Sequence, residues 1–269
     1  MAVKKERVDV LCVEQGLFDS REKAKRAIMA GIVRDDYDYI DKPGTKIPVD
    51  SHLYIKGEKL AYVSRGGLKL EKAIKVFHLD LHNLFMLDIG SSTGGFTDCG
   101  LQNGVKEVYA LDVGTNQLVW KLRNDERVHV MEQTNFRYAT LDMFTHGQPE
   151  FASIDVSFIS LKHIFKPLKD ILKKDGYVVA LIKPQFEAGK DDVGKHGIVS
   201  DPLIHQRVIK EVISYAHDAG FSLQGLDYSP ITGGVGNIEF LGCFKNQVDC
   251  DIDVDIVDIV NQAHIHFKG

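Results

Sequence analysis

From residue 84 onward, short apolar runs alternate with helical patterns almost to the end of the chain, and this rhythm constrains the fold more than any other feature. Residues 84–89, 107–113, 128–132, 151–156, 177–182, 221–228 and 238–244 are brief, apolar and rich in β-branched or aromatic side chains, as buried strands are. Residues 94–102, 116–123, 161–172 and 202–219 carry helical spacing between them. Such alternation predicts an α/β architecture, a mostly parallel seven-stranded sheet covered by helices on both faces. The connection between the last two strands is too short for a helical crossover, so the last strand should run antiparallel.

The first 60 residues follow a different pattern. Residues 6–15 read as a helix with Val8, Leu11 and Cys12 on one face. Ser20 caps a second helix over 21–30, which stops at Gly31. A short strand at Ile32 and Val33, an acidic turn at 35–38 and a strand over 52–55 complete a small α+β module. Its second helix gathers Arg21, Lys23, Lys25 and Arg26, an electrostatic footprint suited to RNA. Residues 61–66 read as a linker. Residues 61–75 carry Arg65, Lys69, Lys72 and Lys75 against Glu71, and the expectation is that Arg65 meets phosphate there.

Composition excludes several classes. No apolar run approaches the ~20 residues of a membrane span. The segment from Met1 to Arg7 has no apolar stretch after its basic residues, so no secretion signal is read and a cytoplasmic location is expected. Cys12, Cys99, Cys243 and Cys250 fit neither a disulfide framework nor a zinc site and are expected as reduced thiols. His264 and His266 make a poor metal site, and no metal is expected. The net charge of −5 argues against a protein coated in cations, but residues 249–269 hold five Asp and one Lys. That segment is read as an acidic, solvated tail, with spacing that allows a short amphipathic helix, and the rest of the chain is nearly neutral.

Two constellations carry chemistry. The first is Asp88-Ile89-Gly90-Ser91-Ser92-Thr93-Gly94-Gly95-Phe96-Thr97, at the end of the first strand of the alternating region and opening a helix. Its glycines permit a sharp turn and close approach to a ligand, yet neither G-x-G-x-x-G nor a P-loop is present. Asp112, at the tip of the next strand, can hold ribose hydroxyls. Acids at both places suit a ligand with a cationic centre and point to S-adenosyl-L-methionine. The second constellation is Asp155, Lys183 and Glu239, charges set in apolar runs where an unpaired charge costs several kcal/mol. Charges of both signs there imply a paired cluster at the carboxyl ends of the strands, where α/β sheets bind ligands.

With these residues the chain resembles the TlyA family, also called hemolysin-A-like, in which a ribosomal-protein-type RNA-binding domain precedes an FtsJ-like ribose methyltransferase. The resemblance runs from about Glu6 to Lys245. Arg7-Val8-Asp9 and Ser20-Arg21-Glu22-Lys23-Ala24 carry it in the first domain. Tyr62-Val63-Ser64-Arg65-Gly66-Gly67-Leu68-Lys69-Leu70, the loop from Asp88, Asp155-Val156-Ser157-Phe158-Ile159-Ser160-Leu161, Leu181-Ile182-Lys183-Pro184-Gln185-Phe186-Glu187 and Gly194-Lys195-His196-Gly197-Ile198-Val199 carry it in the second.

The resemblance implies a seven-stranded Rossmann-like methyltransferase sheet and a division into 1–60, 61–66, 67–248 and 249–269. It implies a Lys-Asp-Lys-Glu tetrad at Lys69, Asp155, Lys183 and Glu239, with Lys183 activating or steering a ribose 2′-hydroxyl, and it adds Lys69, which spacing had not marked. Cofactor contacts are expected from Asp88, Gly90, Ser91, Gly94, Gly95, Phe96 and Asp112. Gln133, Thr134 or Asn135 should lie near adenine. RNA contacts are expected from Arg7, Arg21, Lys23, Lys25, Arg26 and Arg65. The implied activity is 2′-O-methylation of ribosomal RNA at cytidine, with ribosomal RNA or subunits as partner and no membrane. The alternative is a ribosome-binding assembly factor or hemolysin-like protein with a non-catalytic methyltransferase fold.

Overall fold

The seven apolar runs do form one sheet, in a computed structural model that describes residues 4–35, 40, 42–55, 61–248 and 250–268. Most of the acidic turn at 35–38, and Asp249, lie outside the described residues. The chain divides into two units, Met1–Ala61 and Tyr62–Gly269.

In the first unit, β1 (Lys5–Arg7) leads into α1 (Val8–Glu14), followed by α2 (Arg21–Met29), β2 (Val33–Arg34), β3 (Lys46–Pro48) and β4 (Tyr54–Ile55). β1 pairs antiparallel with β3, and β2 with β4. The helix expected from residue 6 therefore starts at Val8, because the backbone of Lys5–Arg7 is taken by the ladder to β3. Ser20 Oγ accepts from the Lys23 amide at 3.4 Å and starts α2, as its sequence position indicates. Val8, Leu11 and Cys12 of α1 pack on Ala24, Ala27 and Ile28 of α2, with Val33, Ile47 and Leu53 closing the core.

The second unit runs α3 (Gly66–Val76), β5 (Phe85–Ile89), α4 (Gly95–Gln102), β6 (Glu107–Leu111), α5 (Trp120–Arg123), β7 (Val128–Met131), β8 (Phe151–Ile154), α6 (Lys162–Ile171), β9 (Tyr177–Ile182), α7 (Pro184–Glu187), α8 (Pro202–Asp218), β10 (Ser222–Tyr228), β11 (Phe240–Lys245) and α9 (Ile256–Lys268). The strand order is β10-β11-β9-β8-β5-β6-β7. β5 to β9 pair in parallel, and β11 inserts antiparallel between β9 and β10. Alternate residues of the central strands serve two apolar layers. Leu87, Ile89, Tyr109 and Ile154 pack on the α6 and α8 side, while Met86, Val108, Phe151, Val179 and Leu181 pack toward α3 and α4. Burial on both faces is why these strands read as unbroken apolar runs.

Three expectations change. The segment read as a linker is fastened to the second unit: Tyr62 is buried, its hydroxyl donates to Glu71 Oε1 at 2.9 Å, and the Val63 amide donates to Asp98 Oδ2 at 2.9 Å. The helix expected over 116–123 is confined to Trp120–Arg123, because Glu132 accepts the Asn116 and Gln117 amides at 2.9 and 3.0 Å and holds them in a loop. The segment read as a solvated tail is instead built into the core. α9 buries Val260 and Ala263, and His264 Nε2 lies 3.0 Å from His205 Nδ1 of α8. The aspartates ahead of α9 masked an apolar stripe that needs a covering surface.

Candidate active site

Glycine is needed where β5 turns into its loop. Gly90 has φ +86°, and a Cβ there would come within 2.4 Å of the Asp155 carbonyl oxygen. The turn therefore lies directly against the segment that carries Asp155. A second close approach explains the paired glycines of two motifs. A Cβ on Gly95 would meet Ser64 Oγ at 2.3 Å and the Gly67 amide nitrogen at 2.9 Å, so the starts of α3 and α4 pack backbone to backbone. That packing sets the direction in which α3 presents Lys69.

Lys69, Asp155, Lys183 and Glu239 form one connected chain of charge. Lys69 Nζ donates to Glu239 Oε2 at 2.7 Å and lies 3.9 Å from Asp155 Oδ2. Lys183 Nζ lies 2.5 Å from Asp155 Oδ1 and donates to Ser157 Oγ at 3.2 Å. Lys69, Lys183 and Glu239 are buried, and Asp155 is partly open. Burial pushes the Lys69 ammonium down, but Asp155 and Glu239 outweigh it and hold its pKa above the ordinary lysine value. Burial likewise pushes Asp155 up, and Lys69 and Lys183 outweigh it, keeping the carboxylate ionised. The four charges are thus mutually compensated, which is what makes them tolerable in a dry interior.

Surrounding contacts fix this chain. Gln185 Nε2 donates to Glu239 Oε1 at 3.2 Å. Asn237, fully buried, accepts the Val199 amide at 2.9 Å and donates to the Gly197 carbonyl at 2.9 Å, tying the loop of residues 194–199 to the entry of β11. Glu187 accepts from Ser160 Oγ at 2.7 Å and the Leu161 amide at 2.8 Å, locking the segment after Lys183 to the segment after Asp155.

Asp155 opens onto a cleft of about 510 Å³ at the carboxyl ends of β5, β6 and β8. Gly90, Asp112 and Asn135 line it, and so do Ser92, Arg137, Ser157 and Phe158, which the sequence reading had not singled out as ligands. The Asp112 carboxylate accepts the Ser92 amide at 2.8 Å and the Gly114 amide at 2.7 Å, so it is held at the rim. The other residues expected near a cofactor do not line the cleft. Ser91 and Phe96 are buried under the loop, Gly94 and Gly95 form the start of α4, and the Thr134 hydroxyl donates back to the Glu132 carbonyl. Asp88 sits beneath the loop, accepting from Thr97 Oγ1 at 2.7 Å and Ser153 Oγ at 2.9 Å, and burial pushes its pKa up to about 7.

Phe158 stands out at the mouth. It is 91% exposed, has φ +63° and packs obliquely on Phe186, ring centroids 4.9 Å apart. Its motif was visible in the sequence, but a left-handed backbone at a bulky residue was not.

The cations expected to meet RNA fall into two groups. Arg7 and Arg21 both grip Asp9, whose carboxylate is fully buried, at 2.8 and 2.9 Å. The Arg7 hydrogen bond, and then Arg21, bring that carboxyl down to about 2. Lys23 and Lys25 pair on the surface with Asp19 and Glu22, and Arg26 is exposed. In the second unit Lys72 is not free charge either: it donates to Asp227 Oδ1 at 2.8 Å, 3.6 Å from the centre of the Tyr228 ring. Arg65 is half-buried.

Among the described residues, no helix is long and apolar enough to cross a membrane. Residues 62–246 match the FtsJ-like methyltransferase family. The chain is 62% identical over 241 residues to the Bacillus subtilis protein named "Putative rRNA methyltransferase YqxC", covering 90% of this chain and 86% of that one. It is 39% identical over 247 residues to the 16S/23S rRNA (cytidine-2'-O)-methyltransferase TlyA of Mycobacterium tuberculosis, covering 91% and 92% of the two chains. A solved structure described as "Putative hemolysin from Streptococcus thermophilus" superposes with a TM-score of 0.80 at 57% identity, over 99% of this chain and 98% of that one.

Proposed function

The chain belongs to the FtsJ-like methyltransferase family, and on that premise we propose that it transfers a methyl group from S-adenosylmethionine to a ribose 2′-hydroxyl of ribosomal RNA, at cytidine. The observation that carries this reading is the unbroken chain Glu239–Lys69–Asp155–Lys183 beside the glycine-bounded cleft. Cytidine in ribosomal RNA is the substrate in the name of the tuberculosis relative.

The residues of the cleft fit the cofactor. Its volume lies within the roughly 300–1,000 Å³ of small-ligand sites, and it presents two carboxylates, Asp112 and Asp155, to a ligand whose reactive centre is cationic. Gly90 and Asp112 would hold the methionine and ribose parts, Asn135 would lie on the adenine side, and Ser91, Gly94, Gly95, Phe96, Thr134 and Asp88 would shape the loop and strand ends around them. When bound, S-adenosylmethionine supplies an electrophilic sulfonium methyl for which the 2′-hydroxyl is the acceptor.

The protein's own groups prepare that hydroxyl. Lys183 would hold the hydroxyl oxygen by a hydrogen bond, and the Lys183–Asp155 pair would take up the departing proton. Lys69 and Glu239 fix Asp155 from its other side. Alignment of hydroxyl and methyl supplies much of the rate. The 2′-hydroxyl exists only in RNA, and the cationic helix α2 in the first unit supports a substrate with a phosphate backbone.

The test is transfer of labelled methyl to isolated small and large ribosomal subunits. Label should appear as 2′-O-methylcytidine, and Lys183→Ala should lower the rate by at least ~100-fold. A protein that binds the cofactor yet methylates neither subunit would favour the non-catalytic assembly factor.

A further inference from the structure

A second cluster of chemically active side chains lies at the opposite end of the sheet. Glu107 is the first residue of β6 and His129 the second of β7, so both sit at amino ends, whereas the cleft opens beyond Leu111 at the carboxyl end of β6. Four residues of strand separate them, roughly 13 Å. Tyr109 pairs in register with His129, and Glu107 is two residues before Tyr109, so all three side chains share one face of the sheet.

The third member comes from a loop. His146 Nδ1 lies 4.0 Å from Glu107 Oε2, the same oxygen that lies 2.6 Å from His129 Nε2. The two imidazoles stack with centroids 3.6 Å apart and planes inclined by 18°. One ligand atom from each residue falls within 4.8 Å of the others. The loop is pinned at this place: Tyr109 Oη accepts the His146 and Gly147 amides at 2.9 and 2.8 Å and donates to the Gly147 carbonyl at 2.9 Å. Phe144 packs edge-on against the Tyr109 ring at 5.1 Å.

We propose that Glu107, His129 and His146 form a binding site for a divalent transition-metal ion of the zinc class. Two imidazoles and one carboxylate are a donor set that suits zinc, nickel or copper, whereas magnesium and calcium prefer all-oxygen sites. A tetrahedral ion with bonds of about 2.1 Å holds its donors about 3.4 Å apart. The shorter contact here must lengthen, the longer one shorten, and the two stacked rings splay so that their nitrogens converge on one ion, a turn asked of the half-exposed His146 side chain. Three protein donors leave a fourth position for water. His146 is 54% exposed on its side chain, and Glu107 and His129 are partly open, so an ion can enter from solvent. The ion joins β6, β7 and the loop before β8, and its distance from Asp155 and Lys183 makes it a structural cross-link and not a participant in methyl transfer.

The experiment uses the full chain, stripped with chelator and dialysed, and titrates zinc chloride by calorimetry while following thermal unfolding. One zinc per chain and a rise in melting temperature are expected, with no competition from excess magnesium. Second-sphere groups alone are commonly worth about 10–100-fold in metal affinity, so His146→Ala and Glu107→Gln, each lacking a direct ligand, should lose at least that much. His146→Ala gives up the stack on His129 but keeps the loop's amide contacts with Tyr109, so each variant is read against its own metal-free melting temperature, and the zinc-dependent rise should vanish. Failure of the parent to bind zinc, or binding that persists unchanged in both variants, overturns the site.

Discussion

Lys69 Nζ and Glu239 Oε2 stand 2.7 Å apart, although 170 residues separate them in sequence, and both are buried. A pair of this kind is destabilising to break from one side, since the remaining charge has no water to turn to; such losses run to about 3–5 kcal/mol. Glu239→Ala should therefore lower both stability and methyl transfer. Glu239→Gln keeps an acceptor for Lys69 and should recover much of the melting temperature while activity stays low. Thermal unfolding and transfer rate measured on the same preparations separate the two effects.

Phe158 offers an apolar face to solvent beside Ser157 and Asp155, with a backbone conformation that disfavours so bulky a residue. Stacking of a base on an aromatic ring is worth about 1–3 kcal/mol. Phe158→Ala should reduce kcat/KM for RNA by roughly 5- to 150-fold, leaving cofactor affinity and melting temperature close to the parent's. An equal loss of cofactor affinity would assign the ring to the cleft wall instead.

Asp88 contributes a pH dependence of definite sign. Its carboxyl rises from 3.8 to about 7 on folding because burial penalises the anion. The folded protein then binds more protons than the unfolded chain between those values, so stability falls as pH climbs from about 4 to 7, on the order of 4 kcal/mol in all. Asp88→Asn should remove this slope, and the difference between parent and variant unfolding curves across that range isolates the group from other carboxylates.

The cations of the first unit should separate by function. Arg7 and Arg21 hold the buried Asp9, and each arginine is partly exposed, so loss of either should cost about 1–3 kcal/mol of that unit's stability. Lys23 and Lys25 instead pair with the exposed carboxylates of Asp19 and Glu22, and Arg26 reaches the Glu22 carbonyl on the surface. Their combined replacement by Ala should leave unfolding unchanged while weakening RNA binding and flattening its dependence on log salt by up to about three. An unchanged salt slope would remove α2 from the RNA interface.

Much of this arrangement is legible in the amino-acid sequence, because the same physics sets both the residue pattern and the packing. Residues 178–182 read as a buried strand since both faces of β9 are covered. Asp155, Lys183 and Glu239 were conspicuous because charge in an apolar run demands a partner. Lys69 was not conspicuous: on an ordinary helix a lysine looks like surface, and only resemblance marked it. Glu107, His129 and His146 were invisible for a different reason, since their proximity depends on the β6–β7 register and on the Tyr109 hydroxyl, neither of which leaves a local pattern. The aspartates before α9 concealed Val260 and Ala263, whose burial depends on α8 and β10 lying alongside.

The reversed direction of β11 has a consequence for truncation. A strand that runs against its neighbours begins at the rim where they finish, so Glu239, just ahead of Phe240, arrives beside Lys69 and Asp155 although it lies late in the chain. A fragment ending before this strand would carry Gly90, Asp112 and Asn135 in its sequence but would leave Lys69 facing Asp155 without Glu239. The cleft walls are thus written early in the chain, whereas the charge chain closes only when the last strand is laid in.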